Sequence, residues 1–316
     1  MSIWAKPVKP TIYFIGVTTT KSSIMPVFPE WAKFLNLGDC EIRGIDFKVH
    51  DAPANYRAAV DFIKSEPLAL GALVTTHKID LLKACRDQFD KLDEYADVLG
   101  EVSSISKHGN KLVGHAKDPI TSGLALEAFL PTNHWAETGA EMCSIGAGGA
   151  AIAITCHILQ HAKGKNKPTK IVVTNRSHGR LEEIRKIHER YPSDIPVEYI
   201  DAPEAAVNDR IVSRLKPGSL VMNATGLGKD APGSPLTDKV VFPKNGLVWE
   251  FNYRGNLVFL DQARKQEAAR NLRIEDGWIY FIHGWTRVIA EVFHVDIPVR
   301  GPVFDELSNI AASVRK

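Results

Sequence analysis

The stretch Cys143-Ser144-Ile145-Gly146-Ala147-Gly148-Gly149-Ala150-Ala151, followed by an apolar run over 152–159, constrains this chain more than any other. A short β-forming segment enters a glycine cluster and a helical pattern leaves it. Glycines let the backbone turn tightly and approach a pyrophosphate, and the following helix presents free N–H groups and its positive dipole end to the phosphates. The pattern by itself also suits an ordinary βα turn. The flanking strand and helix and a second strand pattern at Lys170-Ile171-Val172-Val173-Thr174 favour a dinucleotide site, with Gly146, Ala147, Gly148, Gly149 and Ala150 against the pyrophosphate.

The residues after the second strand bear on which nucleotide is held. A carboxylate about 20 residues beyond the glycines usually holds the ribose 2′-hydroxyl. Here Asn175-Arg176-Ser177 stands instead. A carboxylate would repel a 2′-phosphate, whereas a guanidinium pairs with it in a planar fork and stacks on adenine. Ser177 and Arg180 add a donor and a second charge. The plainer alternative leaves Arg176 a solvated surface residue. NADP is favoured, and use of NAD as well stays open.

A chain of 316 residues has length for two domains with real cores. Its net charge of +2 argues against wholesale nucleic-acid binding and against attraction to a membrane surface. The four cysteines, at 40, 85, 143 and 156, show neither paired spacing nor CxxC, which fits free thiols in a reducing cytoplasm. The amino terminus lacks the apolar core of a signal peptide, and no stretch reaches membrane-span length. Cys156, His157 and His161 could share a helix face, but no carboxylate joins them, so no metal site is expected.

Strand patterns at 11–16, 40–49 and 70–75 alternate with helical patterns at 25–35, 55–64 and 79–84. A hairpin is expected from 101–106 and 111–113 around His108-Gly109-Asn110. This predicts an α/β domain over 1–117. From Asp118 a helix leads into strands at 142–145, 171–174, 197–200, 220–223 and 247–251, joined by helices at 150–161, 180–190 and 204–215. Right-handed crossovers then give a doubly wound, Rossmann-type sheet over 118–276. Helix periodicity at 278–293 predicts that 277–316 returns to pack on the first domain and close a cleft.

Polar clusters fall at expected strand ends: Thr18-Thr19-Thr20-Lys21-Ser22-Ser23, Thr75-Thr76-His77-Lys78 and Lys117-Asp118. They suit a hydroxylated, anionic small molecule. This order of pieces resembles the shikimate/quinate dehydrogenase superfamily over essentially the whole chain. The serine loop matches Gly16 to Pro26 loosely, and Leu73-Val74-Thr75-Thr76-His77-Lys78 matches Asn-Val-Thr-x-Pro-x-Lys, one residue short and without the proline. Gly114-His115-Ala116-Lys117-Asp118-Pro119 aligns with Gly-x-Asn-Thr-Asp-Gly. The glycine loop, Asn175-Arg176-Ser177 and Met222-Asn223-Ala224-Thr225-Gly226-Leu227-Gly228 match closely. Glu250-Phe251-Asn252-Tyr253 stands where Asp-x-x-Tyr is usual.

The resemblance implies an NADP-dependent oxidoreductase of aromatic amino-acid biosynthesis, soluble in the cytoplasm, monomeric or homodimeric, acting on a small cyclic hydroxy-acid. It implies Lys78 and Asp118 as the catalytic pair and Ser22, Ser23, Thr75, Ser103, Tyr253 and His283 as substrate contacts. Asn223, Ala224 and Thr225 would line the nicotinamide. An amine in a partly desolvated site has its charged form disfavoured, which suits it to exchange a proton with an alcohol. Blander readings coexist: Lys78 as a helix-start surface lysine, and Asp118-Pro119 as a helix cap.

The departures concern substrate. Gly100-Glu101-Val102-Ser103-Ser104 replaces Gly-Ala-Val-Asn-Thr, and Ala116-Lys117 replaces Asn-Thr. Where a glutamine usually faces substrate, the 277–285 segment offers His283 or Gly284, depending on register. Sites built on specific hydrogen bonds discriminate steeply, which counts against shikimate itself. Lys21 and Lys117 are candidates to hold a carboxylate. Two other readings stay open: a non-catalytic NADP-binding regulatory protein of the same fold, and a folate-type methylene dehydrogenase, against which the Asn-Arg-Ser and Asn-Ala-Thr loops argue.

Overall fold

A computed structural model describes residues 4–229 and 231–314, so the first three residues of the amino-terminal stretch read above lie outside it. The chain divides into two units, Met1–Lys117 with Ile282–Lys316, and Asp118–Phe281.

The strands of the first unit are β1 (Thr11–Gly16), β2 (Glu41–Asp46), β3 (Ala69–Val74), β4 (Lys91–Leu92), β5 (Ser104–His108) and β6 (Lys111–His115), in the order β2-β1-β3-β5-β6-β4. β1 is buried along its whole length and pairs in parallel with both β2 and β3, as its near-continuous apolar run requires of a central parallel strand. β5 runs antiparallel to β3 and turns into β6 at Gly109, whose φ of +61° suits glycine. The strand expected at 40–49 is shorter in the structure, and the one expected at 101–106 lies at Ser104–His108. β4 and the helix Glu94–Leu99 have no counterpart in the periodicity, because two and six residues are too short to show one. Asp93 caps that helix by accepting from Ala96 N at 2.7 Å, and Gly100 ends it at φ +66°.

The carboxyl-terminal segment belongs to the core of this unit. Trp31 Nε1 donates to Leu307 O at 2.8 Å, joining the helix Ile24–Phe34 to Pro302–Ser313. Trp285, on the helix Trp278–Phe293, meets Phe14 edge-on at 5.1 Å.

The second unit holds β7 (Met142–Ile145), β8 (Ile171–Asn175), β9 (Val197–Asp201), β10 (Leu220–Asn223), β11 (Leu247–Glu250) and β12 (Arg273–Glu275). All six are parallel, in the order β12-β11-β10-β7-β8-β9. This is a doubly wound sheet whose strand order reverses between β7 and β10, the place where such sheets take their ligands. Cys143, Val172, Val221, Val248, Phe242 and Phe259 build its core. The edge strand β12 escaped the sequence reading because Arg273-Ile274-Glu275 carries a single apolar residue.

Gly123, on the helix Asp118–Phe129, leaves room for His157 on the helix Gly149–His161: a Cβ there would lie 2.1 Å from the imidazole. Burial, helped by His161, pushes the His157 pKa down to about 4. Among the described residues no group of three or more His, Cys, Asp or Glu side chains is arranged to hold a metal. None of the described helices is long and apolar enough to cross a membrane.

Candidate active site

At the carboxyl end of β7 the chain turns through Gly146 at φ +110°. A side chain here is excluded twice, by the backbone angle and by Ala224 O, which a Cβ would approach to 2.7 Å. Ala147 is buried beneath the turn. Gly148 is the N-cap of the helix Gly149–His161 and supplies no side-chain cap, so the first N–H groups of Gly149 and Ala150 are left to a ligand. A Cβ on Gly148 would meet nothing within 4 Å, which leaves space above those N–H groups. This room, donor set and dipole fit a pyrophosphate.

Asn175 ends β8, and its Nδ2 donates to Ser177 O at 3.1 Å, closing a small turn. Ser177 is the N-cap of the helix His178–His188 and its hydroxyl makes no capping bond. Arg176 is exposed and has no ion pair among the described residues. Arg180 pairs with Glu183 at 2.6 Å, so part of its charge is already answered. Arg176 is therefore the better placed of the two to meet a phosphate.

Asn223, at the end of β10, is fully buried and its Oδ1 accepts from Thr225 N at 3.1 Å and Thr225 Oγ1 at 2.6 Å. Ala224 N donates back to Ile145 O at 2.8 Å. The loop thus leans on the glycine turn across the switch point. Behind it lies Glu250, also fully buried. It accepts from Asn223 Nδ2 at 2.5 Å, Asn252 N at 2.8 Å and Asn252 Nδ2 at 2.7 Å. Burial outweighs these donors and pushes its pKa up to about 7. In the sequence Glu250 stands out only as a variant of Asp-x-x-Tyr. Its signal was an acid closing the otherwise apolar run Leu-Val-Trp-Glu. Tyr253 packs against Trp278 and Phe281 at 5.5 and 4.8 Å.

In the first unit the polar clusters gather at one end of the inner strands of the sheet. Thr75 N donates to Ile15 O, Val74 N to Ser103 O and Ser103 N to His115 O, each at 2.9 Å. These bonds bring the ends of β1, β3 and β6 to the start of β5. Ser22 is buried and Ser23 half-buried in the loop after β1. Lys78 is half-buried and opens the helix Lys78–Cys85, and its carbonyl accepts from Val102 N at 3.2 Å. His77 is buried, bonded to Tyr56 OH at 3.1 Å and packed edge-on against Phe47. That ring anchors the turn from which Lys78 projects.

Several of these hydroxyls are committed to backbone. Ser103 Oγ accepts from Lys117 N at 2.8 Å and donates to His115 O at 3.4 Å, and Thr75 Oγ1 donates to Ile15 O at 3.3 Å. Lys117 Nζ lies 3.4 Å from Glu291 Oε2, so an internal carboxylate already answers it. His283 is buried with its ring flat on Phe304 at 4.4 Å, and burial, then Arg287, drives its pKa down to about 4. Gly284, the other register, faces open space. Asp118 is buried and opens the helix Asp118–Phe129 in the second unit.

The chain thus pairs an α/β unit with a doubly wound sheet entered through a glycine turn. Comparison with known proteins bears out the resemblance read from the motifs. In sequence the chain is similar to the NADP(+) shikimate dehydrogenase of Streptococcus gordonii, 28% identical over 178 residues, which are 56% of this chain and 58% of that enzyme. The match thus spans little over half the length of either protein. No protein-family model matches. A crystal structure of a shikimate dehydrogenase in complex with NADP+ superposes with a TM-score of 0.72 at 18% identity, covering 98% of this chain and 96% of that one. The quinate dehydrogenase from Corynebacterium glutamicum, in complex with NAD, gives 0.71 at 19% identity, covering 96% and 99%. The fold is theirs.

Proposed function

We propose that this protein is an NADP-dependent oxidoreductase acting on CH–OH, which interconverts a ring hydroxyl and ketone of a small cyclic hydroxy-acid. The observation that carries this reading is the Gly146 turn, seated against Ala224 and Thr225 at the switch point, below a helix end with no side-chain cap. NADP, when bound, supplies the hydride acceptor or donor. Gly146, Ala147, Gly148, Gly149 and Ala150 hold the pyrophosphate, Arg176 with Asn175 and Ser177 the 2′-phosphate, and Asn223, Ala224 and Thr225 the nicotinamide edge. Lys78 takes the hydroxyl proton in one direction and returns it in the other, and Asp118 holds the alcohol and the amine in one geometry. The first unit serves as the substrate domain, in the cytoplasm.

The commitment of the Ser103 and Thr75 hydroxyl protons to backbone favours a substrate other than shikimate, since neither is a spare donor. The test is NADPH formation, followed by absorbance, with shikimate, quinate, aminoshikimate and simpler ring acids, and the same panel with NAD. Turnover of one ring acid with NADP preferred supports the reading. NADP binding without turnover of any member sinks it.

A further inference from the structure

Glu250 is an acid with no exposed surface at the carboxyl end of a parallel strand, and no cation pairs with it among the described residues. We propose that Glu250 is a positioning residue whose ionised carboxylate holds the loop of Asn223, Ala224 and Thr225 in the shape that receives nicotinamide. This deepens the nucleotide reading above and rests on it.

Glu250 Oε2 accepts from Asn223 Nδ2, which turns the amide so that Asn223 Oδ1 faces Thr225 N and Oγ1. Thr225 Oγ1 in turn accepts from Leu227 N at 3.2 Å. Glu250 Oε1 holds Asn252, whose Nδ2 also reaches Thr225 O at 3.3 Å and Leu227 O at 3.4 Å. Both carboxylate oxygens therefore accept, and the side-chain amides they hold, those of Asn223 and Asn252, lead to the one loop. That loop presses on the glycine turn, because a Cβ on Gly146 would sit 2.7 Å from Ala224 O and 3.1 Å from Thr225 Cγ2. The ionised acid is acceptor-only at both oxygens, whereas the protonated acid carries a donor on one of them. A proton on it, or a glutamine in its place, sets a donor against a donor. Asn223 must then turn over and offer Nδ2 to the Thr225 N–H, which undoes the loop.

The groups facing Glu250 from β10 and from the segment after β11 are the neutral amides of Asn223 and Asn252. The charge facing it is Asp276, after β12, which accepts from Trp278 N at 2.8 Å. Burial, with a smaller push from Asp276, raises the Glu250 pKa to about 7, so its proton is exchanged in the neutral range. Below that value the loop loosens, and affinity for the nicotinamide end falls as pH falls.

The test is calorimetric binding of NADPH, and of 2′-phospho-ADP-ribose, which lacks nicotinamide, between pH 6 and 8 on the full chain. With a competent fraction set by this one group, the wild-type Kd for NADPH should rise about tenfold on going to the acid end. The nicotinamide-free ligand should change far less, and it corrects for titration of the 2′-phosphate. Glu250→Gln should show the weak NADPH affinity at every pH, and Glu250→Asp should restore a pH-dependent affinity. Wild-type-like binding by Glu250→Gln, or equal loss of both ligands, would overturn the proposal. If that variant does not fold, a pH-independent ratio of the two ligands in the wild type overturns it alone. Failure of the wild type to bind either ligand would instead remove the nucleotide reading beneath it.

Discussion

The candidate nucleotide site of the second unit is built of backbone, whereas the polar cluster of the first is built of side chains. Around Gly146 the working parts are N–H groups, a helix dipole and a close backbone approach, with Asn223 and Glu250 behind them. At the joined ends of β1, β3, β5 and β6 the proposed chemistry rests on Lys78, while the nearby Ser103 and Thr75 hydroxyls bond to the chain itself. A backbone device depends on a few glycines and keeps its motif in recognisable form. A side-chain device is re-tuned one residue at a time, and the departures at Ser103, Ala116 and Lys117 fall there.

The contrast can be broken most forcefully at Lys78. Lys78→Ala should cut turnover by about 10²–10⁴-fold while leaving NADPH affinity intact, as single-turnover kinetics beside calorimetry would show. Gly146→Val should do the reverse and strike binding first. A branched side chain at φ +110° facing Ala224 O strains the turn by ~1–3 kcal/mol, which lowers NADPH affinity by about 5–150-fold. If Gly146→Val binds normally, the backbone account of this half is wrong. Arg176→Ala should weaken NADP by about tenfold, the worth of one charge-assisted hydrogen bond, and leave NAD unchanged. The ratio of kcat/KM for the two nucleotides reads this directly. Ser103→Ala is the mildest. Its hydroxyl braces Lys117 N and His115 O, so the expected cost is ~1 kcal/mol of stability in thermal unfolding with little change in KM. A large KM effect would return Ser103 to substrate binding.

The same contrast explains what could be read from the chain alone. β7, β10 and the glycine turn were legible because glycine chemistry and buried parallel strands leave strong local patterns. β12 was not, since an edge strand with one apolar residue has no period to show. The polar residues at the β1, β3 and β6 ends could be listed as donors, but not which of them the backbone would claim. Thr75 Oγ1 turns to Ile15 O, and no local pattern reveals a partner sixty positions away. Glu250 was visible as a variant letter only. Its three donors come from a neighbouring strand and the following turn, and they become apparent once β10 and β11 lie side by side.

The measurement that bears most directly on the whole account is isotope transfer from NADPH deuterated at nicotinamide C4, with the ketones of the ring-acid panel as acceptors and mass spectrometry of the products. The account predicts deuterium on the carbon that becomes the carbinol, with transfer lost in Lys78→Ala. Nucleotide held intact beside every ketone, with no label moved, would contradict it.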